Sequence, residues 1–189
     1  MNKINYVITL ILMLSYNMIF AQKFTVDTQK SNIEWTGKNI VSQHIGNIKL
    51  KSGSFELKGN KLISGSFVVD MTSIIDTDLK DESMNQKLVG HLKSDDFFGV
   101  EKYPTATFVV TNVSKLSEGK SLITGNITIK AKTETISFKA ENIGKVYTAD
   151  IDIDRSKFDV RYGSNTFFDN LGNKAIDNIF TLNIKLVLN

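Results

Sequence analysis

His44 and His91 are the only histidines in 189 residues, and they stand 47 positions apart with no H-x-x-x-H pair. That leaves little room for a hydrolytic metal centre built on clustered imidazoles. His91 is followed by Asp95 and Asp96, and these three could ligate a metal. Nothing else in the sequence supports that set, and no metal or cofactor is expected. Asp150, Asp152 and Asp154 alternate with apolar residues. That spacing puts the three carboxylates on one face of a strand, where solvation explains them better than acid–base chemistry. There is no cysteine, which removes thiol nucleophiles, disulfides and iron–sulfur ligation. No Gly-x-Ser-x-Gly elbow, phosphate-binding loop or dinucleotide glycine pattern occurs; Gly53-Ser54 and Gly65-Ser66 lie in ordinary strand patterns. The residues give no motive for an enzyme.

Binding is better motivated. Twelve Phe, five Tyr and one Trp supply a large aromatic area. Phe67, Phe108, Phe138 and Phe180 fall at inward positions of alternating runs. Periodicity alone leaves them as core packing or as the wall of an apolar lumen. The basic residues His91, Lys93, Arg155 and Arg161 lie in or beside long loops. They could meet a charged head group, or they could pin those loops.

These side chains must be positioned by strands. Phe180, Leu182, Ile184, Leu186 and Leu188 alternate with Thr181, Asn183, Lys185 and Val187. The same period of two runs through Ala106–Val110, Ile136–Ala140 and Ala149–Ile153. Gly59-Asn60, Glu118-Gly119, Lys132-Thr133 and Gly144-Lys145 punctuate the runs, so Ala106–Asp154 reads as a four-strand meander. With Ile33–Lys38, His44–Leu50 and their neighbours, the count is about eight long strands plus a short one near Phe24. Such a set closes into a barrel or a sandwich. Two stretches interrupt it. In Ile75–Tyr103, Asp78 is the expected N-cap of a short helix carrying Met84, Leu88 and Leu92, and Pro104 starts the next strand. Arg155–Asn178 is a long aromatic and basic loop.

Residues 1–21 have the pattern of an export signal: Lys3, a charge-free apolar centre around Ile8–Leu14, and Ala21 at the expected cut. Residues 22–189 then form one domain carrying 22 Lys+Arg and 20 Asp+Glu, once Lys3 is removed from the 23 basic residues of the full chain. That near balance offers nothing to a nucleic acid. A chain of this size buries about 70% of its unfolded surface and needs no disulfide.

One long block is distinctive. Lys87-Leu88-Val89-Gly90-His91-Leu92-Lys93-Ser94-Asp95-Asp96-Phe97-Phe98 is followed by Glu101-Lys102-Tyr103-Pro104-Thr105-Ala106-Thr107-Phe108. With Trp35, Gly37, His44 and Gly46, the Gly65–Met71 and Gly125–Lys130 runs, and Ile153–Ser164, it resembles the YceI-like family across nearly the whole chain after residue 21. Ala131 stands where that family usually has Gly, and Ser156 where Thr is common. The resemblance implies an all-β fold: a single extended, antiparallel, eight-stranded, lipocalin-like barrel with short helical excursions. It implies a periplasmic protein that holds an isoprenoid or other long-chain lipid, and no catalysis. Channel-lining candidates are Trp35, Phe67, Phe97, Phe98, Phe108, Phe138, Phe158, Tyr162 and Phe180. Head-group candidates are His91, Arg155, Arg161 and Lys93. A fatty acid, fatty amide or quinone in an envelope stress response is the alternative ligand class. An enzyme acting on such a lipid through His91 and a nearby Asp is a more distant one. The resemblance also allows a homodimer and transient membrane contact.

Overall fold

The structure, a computed structural model, describes residues 21–59 and 61–189. The expected export signal lies outside the described residues except for Ala21, which already belongs to a strand.

Nine strands and one helix follow in chain order. They are β1 (Ala21–Thr25), β2 (Asn32–Lys38), β3 (Gln43–Lys58), β4 (Lys61–Asp76), α1 (Glu82–Lys93), β5 (Thr105–Ser117), β6 (Lys120–Ile129), β7 (Lys132–Ile143), β8 (Val146–Asp154) and β9 (Ile179–Val187). From β2 to β9 each strand pairs antiparallel with its sequence neighbour, and β9 pairs back with β2. The result is a closed up-and-down barrel of eight strands, as the alternation and turn spacing predict. Closure gives each of the eight strands a partner on both sides. The short strand expected near Phe24 is β1. It pairs with the second half of β3 while β2 pairs with the first half, so the two are successive pieces of one wall strand.

The runs His44–Leu50 and Ser54–Lys58 merge into the single strand β3, because register shifts against β4 absorb the break in alternation between them. The helix also differs from expectation. Its N-cap is Asp81, whose side chain accepts from Met84 N at 2.9 Å, and not Asp78. Asp78 instead accepts from Ile45 N on β3, because β4 runs on to Asp76 and delays the helix. The β6–β7 reversal falls at Lys130-Ala131 rather than at Lys132-Thr133, and both turn residues are left-handed, at φ 48° and 58°. Asp150 and Asp152 do face outward, where they accept from Asn183 Nδ2 and Thr181 Oγ1.

Two seams are incomplete. β7 pairs with β8 only over Ala140–Ile143 and Val146–Ala149, so Lys132–Lys139 carry no rungs to β8. β4 pairs with β5 only over Ser66–Asp70 and Thr105–Val109, so Lys61–Gly65 and Val110–Ser117 carry no rungs to one another.

Candidate functional site

The inward faces of the strands do not fill the barrel. They enclose an elongated cavity of about 210 Å³, walled from Leu62 and Tyr147 at the hairpin end to Ile153, Arg155 and Phe180 at the helix end. Seven expected wall residues line it: Trp35, Phe67, Phe97, Phe98, Phe108, Phe138 and Phe180. Two do not. Phe158 is wholly buried among Ile153, Val100 and their neighbours, and Tyr162 lies in a separate outer groove.

Glycines explain how the aromatics leave the centre open. A Cβ on Gly46 would collide with the Trp35 ring, and one on Gly125 with the Phe108 ring. Gly53 and Gly65 receive Phe67 in the same way. Each ring therefore lies along the wall against a bare backbone rather than projecting across the lumen.

The lining is almost wholly apolar. At the helix end it reaches Lys38, Arg155 and Asp177; Lys38 and Asp177 are exposed and joined there through the backbone, Asp177 N donating to Lys38 O at 2.9 Å and Asp177 O accepting from Arg155 Nε at 2.9 Å. At the hairpin end the ionisable wall residue is Tyr147, stacked on Phe55 with centroids 4.6 Å apart. Burial pushes the Tyr147 phenol up, which keeps it neutral. The sequence reading missed Lys38 and Asp177. The signal available was their place at the ends of alternating runs, which does not by itself distinguish lumen from surface.

The head-group candidates have varied surroundings. Arg155 is 2% exposed. Its guanidinium donates to the carbonyls of Asp177, Val160, Tyr162 and Ile176 at 2.8–3.0 Å. Burial lowers its pKa, opposed by Asp154 and Asp177, and the group stays a cation. Four of its five N–H donors are committed to folding the 155–178 loop, the loop-pinning alternative weighed for it. Its face covers the Phe97 ring at 5.2 Å. His91 packs edge-on between Phe97 and Tyr162, with centroids at 5.7 and 4.3 Å. Arg155, Phe97, His91 and Tyr162 thus form one stack fastening α1 to the long loop over the barrel end. Arg161 pairs with Asp159 at 2.5 Å, lies over Phe167 and lines the outer groove. Lys93 sits in the last turn of α1. Asp95 and Asp96 do not join His91 as a ligand set; among the described residues the cluster with metal-ligand spacing is His44, Asp76 and Asp78.

Comparison with known proteins agrees with this architecture. The profile of the YceI-like domain matches residues 24–188. A UPF0312 protein of Shewanella denitrificans is 26% identical over 129 residues, 66% of this chain and 64% of that protein. The match thus spans less than two thirds of that relative's length. A UPF0312 protein of Pseudomonas putida is 30% identical over 137 residues, 68% of this chain and 66% of that protein. Among solved structures, Burkholderia cenocepacia BcnA aligns with a TM-score of 0.68 at 25% identity, over 86% of this chain and 98% of its own. A polyisoprenoid-binding domain from Saccharophagus degradans aligns with a TM-score of 0.58 at 12% identity, over 87% and 97% of the two chains, a likeness of fold alone.

Proposed function

The chain belongs to the YceI-like family, and from that premise we propose that it binds an isoprenoid-type amphiphile in its barrel lumen and carries or stores it in the periplasm. The observation that carries this reading is the elongated, almost wholly apolar lumen, walled by aromatic and aliphatic side chains from Leu62 at the hairpin end to Phe180 at the helix end. A hydrocarbon tail gains about 0.8 kcal/mol per buried CH₂, so length alone gives tight binding. The polar head would emerge at the helix end, where the exposed Lys38 and Asp177 adjoin the mouth.

That end also supports brief contact with a membrane. Asn39 bridges to Ile176, and Ile176 N donates to Gly163 O at 2.8 Å, so the β2–β3 turn adjoins the long loop. Ile40 and Val41 on the turn and Phe167 and Phe168 on the loop are exposed there, beside Arg161. Apolar tips next to a cation are suited to a headgroup layer.

Native mass spectrometry of the protein purified from its own cells tests the proposal. The expected result is one bound prenyl lipid per barrel, identified by extraction. A ligand-free protein that also fails to take up a prenyl lipid on titration would overturn it. Recovery of a fatty acid, fatty amide or quinone would move the assignment to that class and keep the lumen as the site.

A further inference from the structure

We propose that His44, Asp76 and Asp78 form a binding site for one divalent transition-metal ion of the zinc type. The three ligand atoms lie within 4.8 Å of one another. His44 Nδ1 is 3.2 Å from Asp78 Oδ2 and 4.0 Å from Asp76 Oδ2. Bonds of about 2.0–2.1 Å in a tetrahedral site put neighbouring ligand atoms roughly 3.3 Å apart, so these separations need only a small contraction around an ion.

The surrounding hydrogen bonds are those of a prepared site. Each carboxylate has one oxygen fixed by protein donors and turns the other toward His44. Asp76 Oδ1 accepts from Leu79 N at 2.9 Å and from Asn85 Nδ2 at 3.0 Å. Asp78 Oδ1 accepts from Ile45 N at 2.9 Å. Outer partners of this kind set the direction of metal ligands.

An independent observation points to a missing partner. The Asp76 side chain is wholly buried, and its Oδ2 has no hydrogen-bond partner. A buried carboxylate oxygen without a partner costs on the order of 1–3 kcal/mol or more, so such groups are rare unless something fills the position. Two occupants are chemically available: a proton shared with Asp78, or a cation. The imidazole favours the cation, because it adds a nitrogen donor on the same side as both free oxygens. One nitrogen and two carboxylate oxygens suit zinc and its neighbours, and the imidazole nitrogen disfavours magnesium, which prefers an all-oxygen shell. A fourth position is left for water or for an anionic oxygen. The three residues tie the start of β3 to the end of β4 at the helix end, and Asn85 brings α1 into the same cluster. The site is separate from the lumen lining, so it stands whatever the lumen holds.

Calorimetric titration of Zn²⁺ into the chelator-stripped protein tests this, with Mg²⁺ as the control. The expected result is one zinc per chain and no magnesium binding. His44→Gln and Asp76→Asn should each weaken zinc by about 10-fold or more, since even outer partners of metal ligands are worth that much. His44 is partly exposed, so His44→Gln keeps the test valid if Asp76→Asn fails to fold. The Co²⁺ form should show the visible absorption of a tetrahedral ion, lost in His44→Gln. Absence of zinc binding in the wild type, or equal zinc affinity in a folded His44→Gln protein, would overturn the proposal and leave a proton shared by the two aspartates.

Discussion

Trp35 lies against Gly46, its cross-strand partner on β3, and its indole N–H donates to the carbonyl of Ile75 on β4 at 3.2 Å. One aromatic side chain therefore spans three strands, and it does so because Gly46 offers no Cβ. Gly46→Ala drives a methyl into both the indole and the Ile75 carbonyl. The expected cost is about 1–3 kcal/mol, or a melting temperature lower by roughly 2–12 °C. An unchanged melting curve would show that the ring moves freely. Trp35 is also the single tryptophan of the chain, and its emission should report what enters the lumen.

Arg155 holds four carbonyls of the long loop. Arg155→Met should cost about 3 kcal/mol or more, because the carbonyls it leaves are shielded from water. Arg155→Lys should fare little better, since one ammonium cannot reproduce the planar fork. Affinity for charged and uncharged lipids of equal chain length should fall together. A loss confined to the charged lipid, measured by displacement titration, would give Arg155 a head-group role after all.

Ala131 occupies a left-handed turn at φ 58°, where its methyl is strained. Ala131→Gly should stabilise the barrel by about 0.5–1 kcal/mol, the relief exceeding the added freedom of the unfolded chain. Gly144 has the same backbone twist at the next hairpin, and Gly144→Ala should cost a similar amount. Chemical denaturation would compare the two; shifts of the same sign would contradict the argument.

Asp76 carries a pH signature in the presence of chelator. Burial raises its pKa, helped by the neighbouring Asp78 and opposed by Leu79 N–H and His44. The folded state therefore holds this proton more tightly than the unfolded chain. Stability from that source is full below the ordinary carboxylate range and is lost as pH rises through the raised value. For Asp78 burial also acts upward but is outweighed by hydrogen bonds from Ile45 N–H, Asp76 and His44, so its pKa is lowered and its contribution is lost as pH falls. Asp76→Asn copies the protonated form. It should melt no lower than the wild type at neutral pH, and any advantage should shrink in acid. A deficit equal at every pH would locate the effect in packing rather than charge.

Much of the barrel was legible because it is written in period two. Phe180 through Leu188 and the meander from Ala106 reveal their inward faces directly, and Gly59, Gly119 and Gly144 mark three hairpins. The lumen wall was legible residue by residue for Trp35 and the strand phenylalanines. Phe158 and Tyr162 were not, since they lie in the irregular 155–178 loop, where no period assigns a face. His91 and Arg155 drew attention as polar residues in a recognisable block, but their partners are backbone carbonyls and rings brought together only by the loop's path. His44, Asp76 and Asp78 were missed because 32 positions separate the first two, and only the β3–β4 ladder makes Gly46 and Asp76 neighbours.

The short β7–β8 and β4–β5 ladders bear on what cross-section the tube admits. Where ladders run, a wider bore means breaking backbone hydrogen bonds, so the girth is fixed as in a hooped cask. No hoop passes between Lys132–Lys139 and Asp150–Asp154 at the helix end, nor between Lys61–Gly65 and Val110–Ser117 at the hairpin end. The tube is stiff along most of its wall and compliant at one seam near each mouth, where a wider cross-section costs the fewest backbone hydrogen bonds.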